Sequence, residues 1–478
     1  MRVIHLCFQV HAPEQLRKTV LTERKGRTSP YYDSQDAFSR ANAEIYQPLF
    51  ALLERNAQKY PKFRFSLMLS GTWLDQVERY DFALLERLQK LVKTGQVELI
   101  VQPYYHSLAY FYDQDELAEQ TRLYRVRIQE LFGVEGRIFA LPELTYADQI
   151  GRWAEKSGFA GMLVGGSPEV LDWHSPNHVY EAMGCRYLRL LFRNTALSDA
   201  IMRADPELLM EKTFTEGDCK QTKVVLSVEK LQKHLELESL RGHLLNLYFD
   251  AKVIRERRAD GIVGMFDDLI EQWLGQSGNH FVGAAQACMA ETPSVALALH
   301  RTVSWREGGQ VGTEAGASLV LDPDEVAMVP DWLAPAEVAE LAQRIYVLRR
   351  EVVATADARL LADFRPLTDI SYLDGLAQRK VQIEAIMHDL HVRAESIKKA
   401  QAEELAQAYT KKHERNLNDT EVQVNFQPKV APAESESPEL NSEISASDSV
   451  AEPDFEEIPV KVKSAKKKRK IIHRLVIE

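Results

Sequence analysis

The sequence predicts an α/β protein: seven strands in series forming a closed or nearly closed (β/α) barrel, then a mostly helical region, then a polar tail. Three observations carry this prediction. Short apolar runs alternate with amphipathic helical stretches as far as about residue 290, the pattern of parallel strands joined by helical crossovers. Polar residues and glycines collect directly after the apolar runs, where parallel (β/α) folds keep their chemistry. Composition then changes twice, near residue 290 and again past residue 417. An open doubly wound sheet satisfies the first observation equally well; the second favours the barrel.

The expected strands are Val3–Val10, Arg64–Leu69, Val97–Gln102, Arg137–Leu141, Met162–Val164, Tyr187–Phe192 and Leu244–Phe249. Between them, Ala43–Lys59 repeats Ile45, Leu49, Leu52 and Leu53 at helical spacing, and Phe82–Lys93 does the same with Leu84, Leu85, Leu88, Leu91 and Val92. After successive strands come His11, Ser70-Gly71, Tyr104-Tyr105-His106, Glu143, Gly165-Gly166, Arg193-Asn194 and Asp250. Residues 1–290 thus form the barrel, and 291–417 a helical domain packed on it, with long helices over Asp331–Arg350 and Gly375–Arg415. Cys219–Leu240 reads as helical and charged, with no assigned role. Residues 418–478 are rich in Ser, Glu and Pro and too poor in large apolar side chains to order themselves. That acidic stretch ends in a basic cluster, KSAKKKRKIIHRLVIE, either a solvated tail or, over residues 461–474, a weak anionic contact.

Composition narrows the function. Hydrophobic residues make up 45% of the 478, enough for a large core. A net charge of −11 argues against nucleic acid as the partner of the folded part. The four cysteines, Cys7, Cys185, Cys219 and Cys288, show no CxxC spacing, which disfavours metal clusters and disulfide frameworks and fits a reducing compartment. The opening MRVIHLCFQVHAPEQ reads as a first strand, not a signal peptide, and no apolar run approaches membrane-spanning length. A cytoplasmic protein is expected.

Two acids stand out. In GRIFALPELTY, Pro142 cannot donate to a ladder, so it ends the strand and lets Glu143 leave the sheet. In GHLLNLYFDAKV, a buried-strand run ends at once on Asp250. Paired carboxylates at a barrel mouth suit glycosidic bond cleavage, one ionised as nucleophile and one protonated as acid and then base. The plainer reading is that Asp250 caps a following helix and Glu143 bonds amides of its own loop. A metal-dependent polysaccharide deacetylase is a rival, but His5 and His11 lie roughly 20 Å apart by strand rise and no HxxxH pair is present; neither metal nor cofactor is expected. Tyr104, Tyr105, Tyr110, Phe111, Tyr112, Trp73 and Trp173 are candidate sugar-stacking residues, or helix packing.

At these residues the chain resembles glycoside hydrolase family 57, the α-amylase and 4-α-glucanotransferase family, in order over about residues 3–375. FQVHAP is similar to the family's first region, with His11-Ala12-Pro13 for the usual His-Gln-Pro. TGQVELIVQPYYHSLAYFY resembles the second, with Gly95, Gln96, Glu98, Tyr105 and His106; LPELTY resembles the third, whose nucleophile falls on Glu143. FRNTALSDAI matches Arg193, Asn194, Ser198 and Asp199; LNLYFD places the acid/base on Asp250; and LTDISYLD retains Asp369 and Tyr372 of the last region. The resemblance implies an incomplete (β/α)7 barrel and retaining chemistry on α-glucan or maltooligosaccharide. Glu143 and Asp250 would be catalytic, with His11, Tyr105, His106, Arg193, Asp199 and Asp369 binding substrate.

The sequence departs from the family after the acid/base. Where Tyr-Glu-Thr-Phe-Gly-Glu-His is usual, it reads Ala251-Lys252-Val253-Ile254-Arg255-Glu256-Arg257. A cation beside Asp250 would favour its ionised form, the wrong direction for a general acid. Two functions therefore stay open: an α-glucan-active retaining enzyme, hydrolase or transglycosylase, and a glucan-binding or regulatory relative that keeps the fold without efficient chemistry. A Lys252 ammonium within ion-pair reach of Asp250 would turn the balance toward the second.

Overall fold

The computed structural model describes residues 2–18, 29–166, 171–216, 219–293, 295–299, 301–305, 329–373 and 376–421. Met1–Tyr409 form one compact unit; the remainder, Thr410–Glu478, is described only to Glu421, so residues 418–421 of the expected tail are helical instead and the rest of it lies outside the described residues.

Twelve strands are present among the described residues: β1 Arg2–Val10, β2 Phe65–Leu69, β3 Val97–Leu99, β4 Ile138–Phe139, β5 Gly161–Val164, β6 Val179–Ala182, β7 Arg189–Phe192, β8 Leu209–Glu216, β9 Cys219–Leu226, β10 Leu244–Asp250, β11 Asn279–Val282 and β12 Ala296–Leu297. Seven of them make the expected barrel. β10, β1, β2 and β3 pair in parallel, with Val3 opposite Leu244, Cys7 opposite Ser66 and Phe65 opposite Val97. A parallel bridge from Val101 to Phe139 carries the ring on to β4, which pairs with β5 and so with β7. There the ring stops. The second edge of β7 is taken by β6, antiparallel, with β12 beyond it, so β10 cannot pair along β7. Only isolated bonds cross the gap, such as the Asn194 amide to the Asn246 carbonyl at 2.8 Å. The barrel is incomplete because an antiparallel strand occupies its closing edge.

Strand alternation divides the side chains of β1. Ile4, Leu6, Phe8 and Val10 face the helices in the main core, while Val3 and Cys7 belong to a smaller apolar cluster with Met68, Ile138, Leu163, Leu191, Leu244 and Tyr248. The inward row of β1 is therefore Val3, His5, Cys7 and Gln9, and that of β10 is Leu244, Asn246, Tyr248 and Asp250. Two polar rungs cross this interior. His5 bonds Asn246 at 2.5 Å and Ser66 at 2.9 Å; higher up, the Tyr248 hydroxyl meets Gln9 at 2.5 Å and Met68 sulfur at 3.2 Å. The polar side chains of these two rungs thus partner one another, as a low-dielectric interior demands.

Helices follow the expected strands, including Gln47–Lys59, Gly71–Tyr80, Phe82–Lys93, Gln114–Phe132 and Ile262–Gly275. Ser70 and Asp81 cap the second and third of these through the amides of Trp73 and Leu84. Two helical expectations need correction. Cys219–Leu226 is a strand paired with Leu209–Glu216, and the helix begins only at Val228; β-branched Thr222, Val224 and Val225 favour extended backbone more than the charges favour helix. The helix expected from Asp331 begins at Ala336, because Pro335 starts it after a short turn. The last helix runs Leu376–Glu421.

Candidate active site

Above the inward rows, the strand exits enclose a cavity of about 510 Å³ lined by Glu143, Asp250, His11 and His106, with Gln9, Gln76, Lys252 and Ser371 among the other walls. Glu143 and Asp250, 107 positions apart in sequence (250 − 143), share one hollow.

Each acid is placed by its local backbone. Pro142–Leu144 form a single 3-10 turn after β4, with Glu143 at φ 58° and Leu144 at φ 51°, both left-handed. Non-glycine residues avoid that region at a cost of roughly 1–2 kcal/mol each. Glu143 is 7% exposed, and its Oε2 accepts the indole N–H of Trp305. Trp305 reaches it because Val303 bridges antiparallel to Tyr146 and because residue 165 is glycine: a Cβ there would sit 2.9 Å from the Ser304 and Trp305 backbone. The Trp305 ring also stands edge-on to Tyr248 at 5.1 Å and beneath the Arg193 guanidinium at 5.0 Å.

Asp250 continues the inward row of β10. Its Oδ1 accepts the Lys252 amide at 2.8 Å, a turn bond two residues on; the short helix Val253–Glu256 that follows has Lys252 at its N-cap, so Asp250 does not cap it. Its Oδ2 lies 3.6 Å from the Lys252 ammonium. The Lys252 amine is held above its usual range first by the Asp250 charge, with burial opposing and the Glu143 charge adding to it. Nearby Tyr46, on the cavity wall, is raised by burial and then by Asp250.

His11 follows Gln9 in the inward row. Its Nδ1 meets Ser70 Oγ at 2.9 Å, and its ring stacks on His106 with centroids 4.0 Å apart. Its Nε2 lies 3.1 Å from both Ser371 Oγ and Asp369 Oδ2, the serine contact being the aligned hydrogen bond. Asp369 arrives from the helical region because it bridges antiparallel to Ser107 and the Ile370 amide bonds the His106 carbonyl at 3.2 Å. His106, itself left-handed at φ 53°, also meets Gln102 at 3.0 Å.

The other expected residues sit elsewhere. Arg193 is 1% exposed; its side chain pairs with Asp199 at 2.7 Å and donates to the Tyr248 carbonyl at 3.1 Å, spanning the open seam between β7 and β10. Burial lowers its pKa against the pull of Asp199. Tyr105 lines a separate cavity with Glu14, Asp75 and Arg79. Of the aromatic candidates, Trp73 is buried against Phe50 and Tyr46, Tyr104 bonds Asp75, Tyr112 stacks on Tyr346, and Trp173 is exposed beside His174. The aromatic walls of the cavity are Phe38 and Tyr46 instead. Neither stands in a motif or after a strand exit, so the sequence did not single them out. Trp305, next to a stretch with no periodicity, gave no signal at all. His5, committed to Asn246 and Ser66, does not line the cavity.

Comparison with known proteins agrees with this architecture. Residues 5–274 match the profile of Glycosyl hydrolase family 57. A protein of Methanocaldococcus jannaschii provisionally designated an alpha-amylase is 28% identical over 253 residues, 52% of this chain and 51% of its own length. An alpha-amylase of Pyrococcus horikoshii is 26% identical over 142 residues, 28% of this chain and 22% of its own length. The chain thus spans about half or less of these relatives. A family 57 branching enzyme from Thermococcus kodakaraensis, solved with glucose, superposes with a TM-score of 0.58 at 14% identity, covering 82% of this chain and 90% of that one. The alpha-amylase AmyC of Thermotoga maritima gives 0.54 at 10% identity over 82% and 94%. Matched to the profile over more than half its length, and sharing the fold of a solved family member, the chain belongs to glycosyl hydrolase family 57.

Proposed function

We propose that the cavity acts on α-1,4-glucans by retaining chemistry, hydrolysis or glucanosyl transfer, with Glu143 as nucleophile and Asp250 as acid/base. The observation that carries this is the shared cavity: both carboxylates line one hollow of about 510 Å³ at the strand exits, within the size range of small-ligand sites. His11, His106 and Ser371 supply a hydrogen-bonding wall suited to sugar hydroxyls, with Asp369 buried behind His11, and Phe38 and Tyr46 supply an apolar one. Glu143 is ionised when it attacks the anomeric carbon, and the Trp305 N–H favours that form. Asp250 protonates the departing oxygen, then takes a proton from the incoming water or sugar hydroxyl. The thiols of Cys7, Cys185 and Cys288 are free, which supports a reducing, cytoplasmic setting.

A second reading has its own observation. An ammonium lies 3.6 Å from Asp250 Oδ2 and competes with a sugar oxygen for that carboxyl. Such a contact suits a site that holds a glucan without cleaving it. Maltooligosaccharides incubated with wild type, Glu143→Gln and Asp250→Asn separate the readings. Turnover in wild type, abolished by either change, supports the enzyme. Binding with no turnover supports a glucan-holding relative, and full activity in both variants removes the catalytic assignment.

A further inference from the structure

The cavity carries three cations beside its two acids. Lys252 and Arg255 stand on the turn after β10, and Arg379 on the first turn of Leu376–Glu421. A neutral glucan can be held through hydroxyls and ring faces without any permanent charge, so three cations at one rim exceed what it requires. Nor are Lys252 and Arg255 locked into the scaffold. Lys252 meets Asp250 at 3.6 Å, Arg255 meets Glu44 at 3.7 Å, and the two cations are 54% and 47% exposed. Exposed pairs of this kind contribute only about 0–1 kcal/mol, so a ligand anion can replace either partner at little cost. Arg379 is tethered to the Ser371 carbonyl at 2.5 Å, beside the serine that meets His11.

Resting on the glucan reading above, we propose that the substrate is an α-glucosyl chain bearing an anionic group, a phosphate ester or a carboxylate, held at the rim by Lys252, Arg255 and Arg379. The same anion draws the Lys252 ammonium away from Asp250, so that charge on the ligand both anchors the chain and loosens the contact beside that carboxyl. A neutral chain occupies the same hollow and leaves that contact in place.

The test uses the full chain and three ligands of equal length: a neutral maltooligosaccharide, one carrying a 6-phosphate, and one ending in a glucuronate. Affinity is measured by calorimetry and turnover by product release. Two or three exposed cation contacts predict that a charged chain binds about tenfold more tightly than the neutral one. The advantage shrinks between about 50 and about 500 mM salt as charges are screened, and Arg255→Gln and Arg379→Gln each reduce it about threefold. Which charged chain gains identifies phosphate or carboxylate as the anion. Equal affinity for all three overturns the charge proposal and leaves the glucan reading standing; no binding of any chain overturns both. The comparison of ligands on wild type decides the matter even if a variant fails to fold.

Discussion

Replacing Lys252 by Met keeps much of the side chain's length and apolar stem and removes its charge. At 3.6 Å, with the lysine side chain 54% exposed and therefore water-screened, the interaction with Asp250 is about 1 kcal/mol. Freed of a competing contact of that size, Asp250 is more open to the leaving oxygen, and if that step limits turnover kcat/KM on a neutral maltooligosaccharide rises about fivefold at pH 7. Glu143 and Arg255 also face this position from the cavity wall and are unchanged in the variant. The assay is reducing-end or glucose release for wild type and K252M. An unchanged kcat/KM, or activity that falls only with binding, would show that Lys252 does not restrain Asp250, and the role given to it above would go with that.

Two further substitutions probe the scaffold around the chemistry. Trp305→Phe keeps a ring against Tyr248 and Arg193 but removes the N–H donated to Glu143; a hydrogen bond to a charged group is worth about 1.5–3 kcal/mol, so kcat/KM falls at least about tenfold and the acid limb moves up while thermal unfolding holds. An unmoved acid limb would count against that contact. His5 is buried and lowered from 6.5 to about 4, mainly by desolvation. Its folded state rejects the proton, so its stability is full above pH 6.5 and is lost as pH falls toward 4, about 3 kcal/mol in all. Urea unfolding at pH 7 and pH 4.5 should lose less in His5→Gln than in wild type, and equal losses would reassign the acid sensitivity.

Much of this geometry was legible in the sequence, and for a single reason: period-two alternation. Once Val3–Val10 and Leu244–Phe249 are taken as strands, His5, Cys7, Gln9 and His11 fall on one face, as do Leu244, Asn246, Tyr248 and Asp250, and the upper members of both rows line the cavity. Pro142 likewise announced the exit of Glu143. What escaped was everything set by long-range pairing. β6 closes the edge of β7 through an antiparallel register that no local pattern encodes. Trp305 meets Glu143 across 162 positions. The β8–β9 hairpin was hidden because its charges alternate with β-branched residues, and charge was weighed above branching. Arg193 and Asp199 were recognised as a motif, yet their pairing inside the open seam gives them a structural task that spacing alone does not reveal.

The distribution of strain ties the incomplete barrel to its proposed chemistry. Among the described residues, six non-glycine positions have positive φ, and three of them, His106, Glu143 and Leu144, stand at or beside the cavity. Such conformations persist only where surrounding contacts over-determine them. Each here is held from a different direction: His106 by Gln102 and by the Ile370 amide on its carbonyl, Glu143 by the Trp305 indole, Leu144 by the Gly165 amide at 2.9 Å on its carbonyl. Two of the three clamps come from beyond residue 290, outside the barrel strands. The 303–305 segment and the 369–371 segment are therefore more than packing on a finished barrel; they fix the backbone from which the proposed nucleophile and a histidine of the proposed sugar-binding wall project. Gly165 is the hinge of that dependence, since any Cβ there displaces the 304–305 backbone and with it the only indole that reaches Glu143 among the described contacts. A seven-stranded ring with one edge sealed by an antiparallel strand lacks the full set of loops that a closed barrel supplies, and this chain completes its mouth with residues recruited from beyond residue 300.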